Sequence, residues 1–184
     1  MAFDTASRNR LQNLVSIVRS ILTEDFTRQL QQNYGMDPHS GDVSDLSVLS
    51  HLDDKQLETA RVIREVMEHY LSTESSSGEA ARKKVIERIA REQAFTVLNR
   101  LAALKMMESR EILVESVSKG MQSEGFRMYH RVAGNSLGDT NEAYRYFLFS
   151  LFDFFTTELP VLFDRNSPQS LLFPGDQTLA KVLD

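Results

Sequence analysis

The chain has 184 residues, a hydrophobic fraction of 41%, a charged fraction of 26% and a formal net charge of −5. These values are ordinary for a soluble globular protein, and a chain of this length buries about 70% of its unfolded surface without a disulfide or metal staple. The absence of cysteine excludes disulfides, thiolate metal sites and a cysteine nucleophile, and it fits a reducing cytoplasm. The negative total argues against binding nucleic acid through overall charge alone.

Two segments are tested for targeting or membrane insertion. The N-terminal residues 1–20 are no signal peptide, because polar and charged residues interrupt the apolar positions. The most apolar region, 144–163, contains Arg145, Asp153 and Glu158, whereas a membrane span needs about 20 nearly uncharged residues. We therefore predict a cytoplasmic protein with no membrane partner.

The first third of the chain predicts two helices and a connector. In residues 7–33 apolar side chains recur at steps of three and four, which is typical of a helix. Gly35 is placed to close that helix in the left-handed conformation. The turn-rich residues 35–50 predict a connector. A second helix is predicted from about Asp53 to Leu71.

The middle of the chain predicts one long helix. Residues 72–80, STESSSGEA, have the composition of a flexible linker. Ser76 followed by Glu79 matches a capping box, which predicts a helix over about 79–113.

The last third is less regular. Residues 114–138 hold no strong period and predict a structured loop with at most a short helical turn. Asp139 with Glu142 matches a second capping box, which opens a helix over about 140–158 that Pro160 stops.

The end of the chain completes the predicted fold. Residues 161–177 predict an extended or turning segment, and a final helix is expected to begin from an Asp176 cap. With no alternating strand pattern, the fold class is all-α, an irregular helical bundle around a long central helix at about 79–113. The predicted domains are an N-terminal helix with its connector at 1–50 and a helical domain at 51–184, which we expect to continue beyond the last residue.

The long helix carries apolar residues on several sides. On a wheel of about 100° per residue, a helix that is apolar nearly all round is expected to be central and buried. One apolar side consists of Ala94, Val97, Leu98, Leu101 and Leu104, a second of Phe95, Ala102 and Met106, and a third of Ile89 and Met107.

Polar residues also run through this helix. Glu92, Asn99 and Arg110 share one narrow stripe, and Arg100 lies beside it. A buried polar group without a partner costs about 1–3 kcal/mol, so these residues need partners if they are buried. One interpretation is an internal polar network that determines how neighbouring helices dock. The other is a stripe that faces another domain or DNA.

A basic cluster precedes the stripe, formed by Arg82, Lys83, Lys84, Arg88 and Arg91. Its default interpretation is a solvated helix face, and the alternative is a set of contacts to a DNA backbone. No aromatic residue interleaves with it, so base stacking there is not expected.

The search for catalytic motifs finds none. The sequence has no Gly-rich phosphate loop, no G-x-S-x-G elbow and no Glu followed two residues later by Lys. Its four histidines do not form a ligand pattern. We therefore assign no catalytic, cofactor-binding or metal residue in this segment.

Three segments together resemble a known family: residues 91–113, REQAFTVLNRLAALKMMESREIL; residues 120–129, GMQSEGFRMY; and residues 158–174, ELPVLFDRNSPQSLLFP. They are similar to the N-terminal helical region of large adenine-specific DNA methyltransferases, of type IIG restriction-modification and of the BREX and DISARM phage-defence systems. The matching positions are Arg91, Glu92, Ala94, Phe95, Thr96, Asn99, Arg100, Leu101, Glu108, Leu162, Phe163, Asp164, Arg165 and Pro174.

The resemblance implies a division of labour in a longer protein. Family enzymes transfer a methyl group from S-adenosylmethionine to the exocyclic amine of an adenine that they flip from the duplex. The Gly-rich cofactor loop and the Asn-Pro-Pro-aromatic run of that core are missing here, and no two prolines are adjacent. The resemblance thus implies a catalytically silent N-terminal scaffold that packs on a C-terminal methyltransferase domain and contacts DNA within the full-length protein. The alternative is a stand-alone helical protein-interaction module without catalytic activity.

Overall fold

The computed structural model describes residues 4–184 and confirms the all-α class: the described chain is 71% helical and contains no strand. Short 3-10 helices lie at Leu46–Val48, Gly120–Gln122 and Gly134–Leu137. The α-helices of the described chain are α1 (Thr5–Gln32), α2 (Asp54–Thr73), α3 (Glu79–Ser109), α4 (Glu124–Ala133), α5 (Thr140–Thr156), α6 (Pro160–Phe163) and α7 (Asp176–Leu183).

The predicted bounds of four helices are close to the observed ones, and two segments are corrected. The loop predicted over 114–138 contains the ten-residue helix α4. The apolar residues of this helix are only partly buried: Phe126 is buried, whereas Met128 and Val132 are exposed. Pro160 ends the preceding stretch as predicted but also occupies the first position of the one-turn helix α6, where its missing N–H costs nothing.

The chain divides into two compact units. Unit 1 comprises Met1–Phe95 and Leu171–Phe173, and unit 2 comprises Thr96–Ser170 and Pro174–Asp184. Helix α3 begins in unit 1 and ends in unit 2. The predicted division at residue 50 follows composition rather than packing and stays a prediction.

Unit 1 has its core between α1, α2 and the first half of α3. Gly35, predicted to close the first helix, has a left-handed φ of 62° just after α1, and an antiparallel bridge between Met36 and Val43 closes the connector. Arg64 on α2 ties the connector down by donating to the carbonyls of Tyr34 and Ser44. Fully buried side chains of this core include Leu22, Phe26, Leu30, Met36, Ile63, Ile86 and Ile89.

Unit 2 is built on aromatic packing. The rings of Phe126 and Tyr144 meet edge to face at 5.1 Å, and Phe152 lies 5.8 Å from Phe163. Both Phe152 and Phe163 have no exposed surface. These contacts anchor α4 and α6 on α5.

The helix starts show which capping predictions were sound. Asp139 accepts from the backbone N–H of Glu142 at 2.9 Å, which confirms the cap of α5. The cap predicted at Ser76 is wrong, because α3 begins directly after Gly78 and the Ser76 hydroxyl is buried without a partner. The final helix is capped by Gly175 rather than by Asp176, which is its first helical residue.

Among the described residues, we find no helix that combines the length and apolar character needed to cross a membrane.

Gly35 offers a test of the connector. An alanine Cβ at Gly35 would lie 2.8 Å from the Ser44 Cβ, whereas one at Gly78, with a similar positive φ, would meet nothing within 4 Å. We expect Gly35→Ala to lower the free energy of unfolding by more than about 1 kcal/mol, because it adds a clash to the left-handed strain. Gly78→Ala is the matched control for the strain alone. If urea denaturation gives the same loss of unfolding free energy for both variants, the connector shifts to accept the Cβ at Gly35, and the predicted clash is wrong.

Candidate functional site

The predicted basic cluster lies on the first half of α3, and most of its charges are already engaged. Lys83 pairs with Glu79 at 2.6 Å, and Arg91 lies 3.6 Å from Glu87. Each pair joins residues four positions apart, which places both side chains on the same helix face.

Arg82 has a different task from the rest of the cluster. Its Nε donates to the carbonyl of Gly41 at 2.8 Å, which ties α3 to the connector of unit 1. Lys84 is exposed and has no ion pair among the described residues. Over residues 79–92 five basic side chains alternate with three glutamates, so the local positive field is weak. The predicted DNA contacts stay a prediction.

Glu92 is the centre of a small triad in unit 1. The Tyr70 hydroxyl donates to Glu92 Oε2 at 2.5 Å, and Arg88 Nε donates to Glu92 Oε1 at 2.8 Å. The Arg88 guanidinium also lies 3.8 Å from the centre of the Tyr70 ring. The hydrogen bond to Glu92 raises the pKa of Arg88 above its ordinary value. The triad fastens α3 to α2.

Arg100 is the buried charge of unit 2, with only 3% of its surface exposed. Its Nε donates to the carbonyl of Leu162 at 2.6 Å, and Nη2 donates to the carbonyl of Asp164 at 2.7 Å. Burial lowers the pKa of Arg100 to about 10, which still leaves the guanidinium charged at neutral pH. A charged donor thus satisfies one carbonyl at the end of α6 and one in the turn after it.

The predicted stripe does not act as one buried set. Asn99 is half-buried, and Arg110 is exposed, so Arg110 is not a buried polar group. Glu92 and Arg100 each find their partners within their own unit. The helix is also not apolar all round, because the second apolar side faces solvent: Phe95 is 57% exposed, Met106 is 55% exposed, and Ala102 is exposed as well.

Glu108 organises the backbone of residues 116–118, a role that its sequence context did not predict. Its Oε1 accepts from the backbone N–H groups of Ser116 and Val117, each at 2.5 Å. Its Oε2 accepts from the hydroxyl of Ser118 and, at 3.2 Å, from the N–H of Ser118. The carboxylate therefore shapes the turn after α3. A cluster of small polar residues eight to ten positions beyond a helical glutamate is the only sequence signal for it.

No catalytic constellation emerges from the described residues. They contain no group of three His, Asp or Glu side chains that can hold a metal ion. A pocket of about 490 Å³ in unit 2 is lined by α7 and by the turn at residues 118–122. The Tyr144 hydroxyl in its wall donates to the Ser116 carbonyl, and burial raises the pKa of Tyr144. This lining has no glycine-rich loop after a strand and does not fit the S-adenosylmethionine that the resemblance implies for the whole protein.

Comparison of the chain with protein-family models, with curated proteins and with solved structures finds no match. The resemblance to methyltransferases therefore depends on the quoted residues alone.

Arg100 provides the test of this arrangement. We expect Arg100→Met to lower the free energy of unfolding by about 2–4 kcal/mol, because it leaves the carbonyls of Leu162 and Asp164 without their donor. Arg110→Met, in the turn directly after the same helix and exposed, is the matched control, with an expected change within about 0.5 kcal/mol. Thermal or urea unfolding measures both. Similar losses for the two variants would contradict the assigned role of Arg100.

Proposed function

We propose that this chain is the N-terminal scaffolding domain of a bacterial S-adenosylmethionine-dependent, adenine-specific DNA methyltransferase of a restriction-modification or phage-defence system. The observation that carries the proposal is the bond between two of the family-like segments. Arg100 of the Asn-Arg-Leu helix donates to Leu162 and Asp164 of the Leu-Phe-Asp-Arg segment, 62 and 64 positions further along the chain.

The other residues of the Leu-Phe-Asp-Arg segment are also engaged by the fold. Phe163 is fully buried against Phe152. Arg165 donates hydrogen bonds to both carboxylate oxygens of Asp153, at 2.7 and 2.8 Å, and its guanidinium lies 4.5 Å from the centre of the Phe149 ring. Planar, two-pronged pairing of this kind fixes orientation as well as distance. The segment therefore contributes structure, and its side chains are not free for chemistry.

The same pattern holds in unit 1. Gln93 Oε1 accepts from the backbone N–H of Leu172 at 3.0 Å, which joins the Arg-Glu-x-Ala-Phe stretch to the Leu-Leu-Phe-Pro stretch. Gln29 on α1 donates to the carbonyl of Phe173 at 3.0 Å. These contacts support a scaffolding role. In this proposal methyl transfer and cofactor binding belong to another part of the whole protein.

The test is an assay on the full-length gene product. We expect it to transfer the labelled methyl group of S-adenosylmethionine to adenine in duplex DNA, and we expect deletion of residues 1–184 to abolish the transfer. Arg100→Met is expected to lower transfer in parallel with thermal stability, whereas Arg110→Met leaves both unchanged. A full-length protein that binds no S-adenosylmethionine would sink the proposal.

A second candidate, a helical protein-interaction module, is favoured by the first half of α1. Every residue from 4 to 17 is exposed. At 100° per residue the large apolar side chains share one face, which Arg8 and Arg19 border on one edge, while Arg10 lies within it between Ile17 and Leu14. No acidic residue lies between Thr5 and Thr23. The exposed apolar residues of this face are Leu11, Leu14, Val15 and Ile17.

The charges around this face select one kind of partner. A second copy of α1 would set arginine against arginine, which is repulsive. An amphipathic helix whose apolar side is bordered by carboxylates would satisfy both the apolar residues and the arginines.

A photo-crosslinker at position 14 separates the two functions. If the chain is the front of a methyltransferase, we expect the crosslink within the same polypeptide. If it is a separate module, we expect the crosslink on another protein, within a helix whose apolar side is bordered by acidic residues. A crosslink to a second copy of this chain, or none at all, would contradict the second candidate. A crosslinker at exposed Glu68 on α2 controls for random collision.

A further inference from the structure

We infer that Arg127, His130 and Arg131 on α4 form a phosphate-binding site that contacts the backbone of DNA. The three residues stand at positions i, i+3 and i+4, so one side of the helix presents all of them. None of them belongs to the cluster that the sequence suggested for DNA contact.

The three side chains border one open pocket in unit 2. The pocket has a volume of about 300 Å³, and its remaining lining comes from Met121, Phe126 and Thr140. Thr140 is the first residue of α5, so the pocket also lies beside the N-terminus of a 17-residue helix. The Asp139 carboxylate already caps the N-terminus of that helix, so the attraction for an anion comes from the basic side chains.

The basic groups of this pocket are unengaged, unlike most of those on α3. Among the described residues, the side chains of Arg127, His130 and Arg131 make no ion pair and no hydrogen bond. The pocket lining contains no carboxylate. Glu115 lies within range of the Arg127 charge, but its carboxylate is paired with Lys119 at 2.9 Å. Two guanidinium groups and an imidazole are therefore available to one ligand.

The chemistry of the lining selects a phosphate group. A guanidinium presents planar N–H donors that match two oxygens of a phosphate, and two of them four positions apart can hold one or two adjacent phosphates. The Thr140 hydroxyl is a further donor. A carboxylate ligand has the same charge sign, but two guanidinium groups and an imidazole around one pocket suit the higher charge density of phosphate.

The shape of the pocket points to a backbone phosphate. Phe126, its aromatic residue, is only 3% exposed and is packed against Tyr144 and His130. No aromatic face in the lining is thus free to stack on a base, and the pocket is too open to enclose a nucleotide. We expect contact that is independent of sequence and positions the duplex. The assignment of the phosphate to DNA deepens the proposed function and rests on it. The existence of a phosphate site on α4 does not depend on the proposed function.

The experiment compares two double variants of the 184-residue chain that change net charge equally. R127Q/R131Q removes the α4 site, and K84Q/R91Q removes two exposed cations of the α3 cluster. Fluorescence anisotropy measures binding of each protein to a labelled duplex of mixed sequence over a salt series. We expect wild-type binding to weaken with salt, and we expect R127Q/R131Q to reduce the slope of log K against log salt by about 2, at about 0.9 for each lost phosphate contact. K84Q/R91Q is expected to leave the slope nearly unchanged.

Thermal melts check that both double variants are folded. All four substituted side chains are exposed, so the melting temperatures are expected to match wild type. Equal loss of binding in both variants, or a larger loss in K84Q/R91Q, overturns the site. A wild-type chain that binds neither duplex nor inorganic phosphate overturns it as well.

Inorganic phosphate distinguishes the two sources. NMR follows the His130 ring while phosphate is added to each protein. If duplex displaces phosphate from the wild-type chain and R127Q/R131Q binds neither, the backbone is the source. If phosphate shifts the His130 signal but duplex does not bind, the site takes free phosphate, and the DNA assignment is wrong. Whether the full-length protein methylates adenine is measured separately, so failure of either proposal is recognised by itself.

Discussion

The constraint on which unit 2 depends is the buried guanidinium of Arg100. A charged group with 3% exposure is tolerable only when its N–H groups are satisfied, and here backbone carbonyls of Leu162 and Asp164 accept them. Those carbonyls belong to the end of α6 and the turn after it, which are short and have little stability of their own. The Arg100 guanidinium therefore stabilises the end of α6 and the turn after it, which local interactions alone do not stabilise. Phe163 is placed in the aromatic core as a result.

The polar residues of α3 follow the same logic along its whole length. Glu92 fastens α2 through Tyr70, Gln93 fastens Leu172, and Glu108 gathers the backbone N–H groups of the turn at 116–118. The bonds of Glu92 and Gln93 reach segments distant in sequence, those of Glu108 reach the next turn of the chain, and each lies within one compact unit. Helix α3 thus organises the chain mainly by hydrogen bonding, while the apolar side formed by Ala94, Val97, Leu101 and Leu104 supplies the burial.

The number of basic residues in a cluster differs from the number that is free of ion pairs, as the clusters on α3 and α4 illustrate. The cluster on α3 is the denser one in sequence, but Glu79, Glu87 and Glu92 pair with three of its five charges one helical turn away. The group on α4 has only three basic residues, yet its pocket contains no carboxylate. Because binding of phosphate depends on the unpaired charge, the smaller cluster is the stronger candidate for DNA contact. The apolar face of α1, edged by arginines, is a separate feature that suits a protein partner.

The sequence by itself determined the helical class, the position of the longer helices, the closure at Gly35 and the cap at Asp139. These depend on local periodicity, on backbone freedom at glycine and on hydrogen bonds within one turn, all of which neighbouring residues specify. Only the tertiary structure decided which apolar side of α3 is buried, why Ser76 caps nothing, and that Arg100 and Arg110 differ in burial. It also decided the partners of Glu92 and Glu108. These outcomes depend on which distant segment packs against a given side chain, and the spacing of residues along one helix carries no information about that segment.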